Sequence, residues 1–337
     1  MSDQPFAPAD PAAKPAAPAP SRKAWKTLRS LLPWLATGLI FYYIFRQVPF
    51  SQVWSALKLV RLQILVPVVL SNYIAYFLAD VWVHYLAFKW LAAEVRFREV
   101  LFARGASYIL GLINFFVGQG GVGYWLARAK HVPAGEATST IFFIMFMDLF
   151  LLILLSATGV LFFLPEVRLT DFFTLRPEGD LVRFTLITLA VLLSQIWIWI
   201  RKPKAPLVRW LLFRGPFLVF DRLQPRHFGL IFLLKLFIYG FDIFANWLGL
   251  KALGVEVSLT HILTYLPLIY LIGSIPITVL HLGTTQAAWL WFFQDLAPPA
   301  AVLAFTLLWS FCFIVLRGLT GLACLPRVYQ DLVAPRN

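Results

Sequence analysis

The sequence predicts an all-α fold: a polytopic transmembrane helical bundle of about six full spans plus two re-entrant helical hairpins in an inverted-repeat arrangement. Three observations carry this. The 337 residues are 60% hydrophobic and only 13% charged, against roughly 45–50% and about 25% in soluble domains. The apolar runs reach 18 residues or more, enough to cross ~30 Å of hydrocarbon at 1.5 Å per residue. Two of the runs are interrupted by polar, Gly or Pro residues in mid-course.

In chain order, residues 1–24 form a Pro/Ala-rich tail expected to be disordered. Nothing in it resembles a cleavable signal. A single transmembrane domain then occupies 25–328, and 329–337 is a short tail. The apolar runs are 31–48, 62–88, 105–127, 139–164, 183–200, 228–250, 261–293 and 299–325. The interrupted ones contain NFFVGQGGVG at 114–123 and GSIPITVLHLG at 273–283. Such breaks leave backbone groups unpaired in lipid, so they belong where protein or a wet cavity surrounds them.

Lys/Arg counting orients the runs. With both interrupted runs as re-entrant hairpins and a cytoplasmic N-terminus, 20 basic residues fall inside and seven outside. If both runs span, the split is 15 to 12. The hairpin arrangement is therefore expected, with both termini cytoplasmic and a bacterial inner membrane as the location. It also makes the two halves run in opposite directions. Aligning Gly123 with Gly283 places FVGQGGVG over PITVLHLG, and inverted repeats with broken helices are a transporter architecture.

The net charge of +13 is scattered among short loops, which points to topology control and away from nucleic acid. Within the spans remain Lys235, Arg317, Asp80, Asp148 and Asp242. Each costs about 2.5–3.5 kcal/mol at a helix centre on insertion scales, so partners or a polar cavity are expected. Asn72, Tyr76, Asp80 and His84 form one helical stripe. Lys235, Tyr239, Asp242 and Asn246 form a second, and Thr306, Ser310 and Arg317 a third. Internal salt bridging, for example Arg317 with Asp148, is one use of these charges. The other is a shared cavity in which Lys235 or Arg317 holds an anionic headgroup. Gly120, Gly121 and Gly123, with Gly118, would let backbone N–H groups approach that ligand, and Asn114 and Gln119 would line the path. Close helix packing is the competing use of those glycines. Asp80, Asp148 and Asp242 are the candidates for proton or ion coupling.

No catalytic motif is present. The five histidines show no HExxH pairing, and there is no GxSxG elbow, Walker loop or Cys/His cluster. Cys312 and Cys324 are read as packing residues. No enzyme activity, cofactor or metal is expected.

NFFVGQGGVGYWLARAKHVPAGEATSTIFFIMFMDLFLLIL and YLIGSIPITVLHLGTTQAAWLWFF resemble the transmembrane region of the lysylphosphatidylglycerol synthase family, also called flippase-like proteins. The resemblance covers about residues 30–326. Two positions depart from the family pattern: Gln286 stands where the family usually has Glu, and Phe116 or its neighbours where a Pro follows the Asn. The resemblance implies translocation of a lipid with a polar headgroup between leaflets, with Gln286 among the substrate-binding positions. Full-length relatives carry a cytoplasmic aminoacyltransferase domain. None follows residue 326 here, so translocation without aminoacyl transfer is expected. The partner is then a membrane lipid as substrate. A homo-oligomer or a lipid-biosynthesis partner stays open, as do a membrane-embedded lipid-modifying enzyme and a non-transporting scaffold subunit.

Overall fold

The computed structural model describes residues 22–163, 177–275 and 277–333. The expected disordered tail and the final residues 334–337 lie largely or wholly outside them, as do Arg168 and Arg176. Every regular element among the described residues is helical. In order they are α1 (Arg22–Gln47), α2 (Phe50–Lys58), α3 (Leu62–Leu91), α4 (Phe97–Ile113), α5 (Phe115–Ala129), α6 (Ala134–Phe163), α7 (Pro177–Arg201) and α8 (Pro206–Leu212). A 3-10 turn at Gly215–Arg222 follows, then α9 (Pro225–Ala252), α10 (Leu259–Ser274), α11 (Thr284–Phe292) and α12 (Pro299–Val333). Several helices open on proline, whose missing N–H costs nothing in the first turn. Four of them, α3, α6, α9 and α12, are long and apolar enough to cross a membrane.

The amphipathicity of α9 is inverted relative to a water-soluble helix. Leu230, Leu233, Phe237 and Phe244 are exposed, while Lys235, Asp242 and Asn246 are buried. An apolar face turned outward and a polar stripe turned inward suit a hydrocarbon surround.

Both interrupted runs fold back on themselves. The first bends at Asn114, whose extended backbone separates α4 from α5 and whose Oδ1 accepts the Phe116 N–H. Residues on the two sides of that bend face one another. A Cβ on Gly118 would lie 2.8 Å from the Gly111 Cα, and one on Gly121 would lie 2.5 Å from a Leu110 methyl. At the open end Lys130 reaches Glu99 at 2.8 Å. Burial alone would raise the Glu99 carboxyl, but Lys130 and the Arg96 amide hold it below its usual range. The second run bends across residues 275–283. There Leu280 and His281 adopt φ of 56° and 59°, a strained choice for side-chain-bearing residues, and Gly283 takes φ 94°. Its arms meet where Tyr265 stacks on Phe292 and Gly273 approaches Thr285. The bend leans on α1 through the Val279 N–H, which donates to Thr37 Oγ1.

The two hairpins open at opposite ends of the bundle. Arg222 ties one end together, donating to the Leu91 carbonyl and, through both terminal nitrogens at 2.7 Å, to Glu136. Trp90 stacks on His227 at that same end. The basic segments near 89–98, 128–138 and 201–227 therefore lie at one end. At the other end the Arg61 N–H donates to the Ala252 carbonyl.

Packing is reciprocal between the halves. Helices α3 and α9 run antiparallel along their lengths, with contacts at Arg61–Ala252, Asn72–Asp242, Asp80–Lys235 and Trp90–His227. The helix that follows each hairpin packs on the first arm of the other, α12 on α4 and α6 on α10. Glycine allows both approaches: a Cβ on Gly159 would lie 2.9 Å from the Thr264 backbone, and one on Gly321 would lie 2.5 Å from the Ile109 side chain. Gly159 and Gly321 are 162 residues apart. So are Asp80 and Asp242, Lys89 and Lys251, Glu94 and Glu256, Tyr108 and Tyr270, Gly111 and Gly273, and Gly121 and Gly283. This register differs by two residues from the alignment of Gly123 with Gly283 and holds on both sides of the bends.

Candidate functional site

The stripes on α3 and α9 face each other and are joined by ions. Asp80 is buried and receives Arg104 Nε at 2.6 Å on Oδ2. Tyr108 donates to the same oxygen at 3.4 Å. Lys235 Nζ lies 3.8 Å from Asp80 Oδ1 and 2.7 Å from Asp148 Oδ1, so one ammonium bridges α3, α6 and α9. Tyr239 adds a 3.4 Å hydrogen bond to Asp148. His84, fully buried, has Nδ1 2.8 Å from the Asp80 carbonyl oxygen and Nε2 3.5 Å from Gln119 Oε1. Such a network repays the desolvation of its ions only because each charge meets an opposite one and the remaining valences are hydrogen-bonded. Arg104 adds a 3.2 Å bond to Ser107.

Arg104 corrects the sequence reading. One of the 20 basic residues assigned to the cytoplasmic side, it is 6% exposed and paired, which leaves 19 against seven in the topology count. The Arg317–Asp148 salt bridge offered as an example does not form. Asp148 is taken by Lys235.

Arg317 has a different environment. Its guanidinium carbon lies 5.7 Å from the ring centre of Tyr76, 5.5 Å from that of Tyr108 and 5.8 Å from that of Phe313. Its Nε is buried with no hydrogen-bond partner, and no carboxylate lies within 4.0 Å among the described residues. Aromatic faces hold a cation with about 0.5–2 kcal/mol and leave its N–H edge available. The Tyr108 ring also lies 5.0 Å from the Arg104 guanidinium, so it separates the paired cation from the unpaired one.

Asp242 forms a second centre. Asn72 Nδ2 donates to its Oδ1 at 2.7 Å, the Tyr270 hydroxyl donates to Oδ2, and Asn246 donates to its backbone carbonyl. No cation comes within 4.0 Å of it among the described residues. Tyr270 stands to Asp242 as Tyr108 stands to Asp80, 28 residues further on in each half. At the place of Arg104 the second half has Leu266.

Of the residues singled out from sequence, Asp80, Asp148 and Lys235 meet directly. Gln119 joins them through His84, and Arg317 through Tyr108. The others sit apart. Asn114 caps α5 at the hairpin bend. Gln286 is fully buried, accepting the Gly283 N–H at 2.6 Å and donating to Ser310 at 3.2 Å, so it caps α11 and ties it to α12. The glycines do not present free amides, because Gly120, Gly121 and Gly123 lie inside α5, where helical bonding occupies their N–H groups. Gly121 packs on Leu110, Gly123 touches Ile141 and Gly120 borders open space. Arg104, Tyr108 and Tyr270 were missed. The signal was present in the repeated Asp and Tyr, 28 residues apart in both halves.

A family model described as Lysylphosphatidylglycerol synthase TM region matches residues 30–321. The match takes in both hairpins and every member of the charge network. No curated protein matches the chain.

Proposed function

The chain belongs to the family of lysylphosphatidylglycerol synthase transmembrane regions, and on that premise we propose that it moves a lipid with a polar or anionic headgroup between leaflets. Family and apolar helices together make it a multi-pass membrane protein of a lipid-handling family. In the proposed arrangement α1, α3, α6, α7, α9 and α12 span the bilayer, and the α4–α5 and α10–α11 hairpins re-enter it from opposite faces. The halves then form an inverted repeat. Support comes from the antiparallel α3–α9 pair, the reciprocal packing of α6 and α12, and the identities at a spacing of 162 residues. Equivalent helices that run antiparallel are related by an axis across the bundle, which is the inverted-repeat relation of transporters. The basic end carries the 89–104 and 201–227 loops and faces the cytoplasm of a bacterial inner membrane by the positive-inside rule.

The observation that carries the reading is Arg317. Every other cation of the core has an acidic partner, whereas Arg317 is held on three aromatic rings with a buried, unpartnered N–H. A guanidinium in that state suits a phosphate oxygen, which accepts charge-assisted hydrogen bonds in fork geometry. Lys235 serves instead as the bolt between Asp80 and Asp148. Translocation is tested by reconstituting the protein in vesicles and following chemically quenchable phosphatidylglycerol and polyprenyl-phosphate probes between leaflets. Exchange well above that of empty vesicles is expected for at least one of them. Exchange no faster than in empty vesicles for both would reject the function.

A further inference from the structure

Among the described residues, two charges in the core have no ionic partner. Asp80 and Asp148 are matched by Arg104 and Lys235; Asp242 and Arg317 remain. We propose that Asp242 is a protonation site whose occupancy is tied to an anionic headgroup at Arg317: its carboxylate takes one proton from water when the headgroup docks and returns it when the headgroup leaves. The proposal rests on the reading of Arg317 given above and adds the coupling ion.

The internal repeat supplies the comparison. Asp80 and Asp242 occupy equivalent places, each with a tyrosine 28 residues on as hydrogen-bond donor. Asp80 is also given two cations, which can only donate and so hold a carboxylate in its ionised form. Asp242 is given none: Leu266 replaces Arg104, and the partners are a hydroxyl and an amide. Both can serve either protonation state. The Tyr270 hydroxyl donates to a carboxylate or accepts from a carboxylic acid by turning its proton. Asn72 donates through Nδ2, and its Oδ1 is buried with no partner. Turned over, that amide offers the orphan oxygen to a protonated Asp242.

The groups around Asp242 are few. On α3 they are Asn72, Tyr76 and the ion-paired Asp80, and on α6 Asp148, committed to Lys235. From α10 comes Tyr270, on α9 itself is Tyr239, and from α12 Arg317 acts on Asp242 through space from beyond ion-pair distance, with His281 of the second bend facing Arg317 in turn. With Arg317 free, the pair balances. An anion bound to Arg317 leaves Asp242 as an uncompensated buried charge, which a low-dielectric interior penalises and which a proton removes.

The test is binding of short-chain phosphatidylglycerol to the purified full chain in zwitterionic detergent between pH 5.5 and 8.5, by calorimetry in buffers of differing ionisation heat. One proton taken up per lipid is expected, with affinity falling about tenfold per pH unit over the upper part of the range. Asp242→Asn should bind with no proton uptake and no pH slope, whereas Glu256→Gln, an exposed acid beyond the end of α9, should keep both. Glycerophosphoglycerol, the same phosphodiester without chains, should bind more weakly with the same slope; binding as tight as the lipid would overturn the lipid assignment. A flat pH profile in the parent, or a slope that persists in Asp242→Asn, overturns the coupling and leaves the translocase reading standing. No binding of either probe at any pH removes both.

Discussion

Neutralising Asp80 and neutralising Asp242 are the same chemical change at equivalent places in the two halves, yet their costs should differ severalfold. Asp80→Asn strips the charge that meets Arg104 at 2.6 Å and Lys235 at 3.8 Å. Lys235 keeps Asp148, but Arg104 is left buried with only Ser107 and a tyrosine face. Removing one member of a buried pair costs about 3–5 kcal/mol, a large part of the roughly 5–15 kcal/mol that holds a folded protein together. Asp242→Asn breaks no ion pair at contact distance, and Arg317 loses only a through-space counter-charge. The new amide oxygen still accepts from Tyr270 or Asn72, so the loss is that of weakened hydrogen bonds, about 1 kcal/mol. In detergent-solubilised protein the apparent melting temperature should fall on the order of 10 °C for Asp80→Asn and a few degrees at most for Asp242→Asn. The double variant Asp80→Asn with Arg104→Gln should recover part of the loss, since the stranded charge is gone. Equal shifts for the two single variants, or no recovery in the double, would refute the ion-pair account of the first half.

Other outcomes follow from the hairpins. Gly118→Ala places a methyl against the Gly111 backbone and should cost about 1–3 kcal/mol. Gly120→Ala meets nothing within 4 Å and should be neutral or stabilising by up to about 1 kcal/mol; thermal melts of the two variants separate packing from ligand approach as the use of this glycine run. In a background without Cys312 and Cys324, single cysteines at His131 and Asp295 are both exposed. An impermeant thiol reagent should label the first only from the cytoplasmic side and the second only from the opposite side. Labelling of both from one side would remove the re-entrant arrangement.

The long apolar helices, the two breaks and the buried stripes were legible because each is a periodicity or its interruption. Burial at Asn72, Asp80 and His84 follows directly from their four-residue spacing. Arg104 was not legible: a cation at the edge of an apolar run reads equally as a loop anchor or as half of an ion pair, and its partner lies on another helix. The α4 arm in fact begins at Phe97, eight residues before the run. The glycines misled for a related reason. Glycine disfavours a helix by about 1 kcal/mol per residue, so four of them resemble a melted segment. In the hairpin Gly118 instead lets two helical arms touch, and contact between arms offsets the propensity. The register of the repeat was missed because the motif glycines can be paired in more than one way: Gly123 was set on Gly283, whereas the spacing of Asp80 from Asp242 and of Gly159 from Gly321 pairs Gly121 with Gly283.

The central claim, that Arg317 carries the headgroup, is tested most directly by leaflet exchange in vesicles with phosphatidylglycerol and phosphatidylcholine probes side by side. For Arg317→Gln the account predicts at least a tenfold loss of anionic-probe exchange with a melting temperature lowered by only a few degrees, the cost of its ring contacts and of its through-space balance with Asp242, and partial retention in Arg317→Lys, which keeps the charge but not the fork. Anionic-probe exchange in Arg317→Gln equal to that of the parent would contradict it.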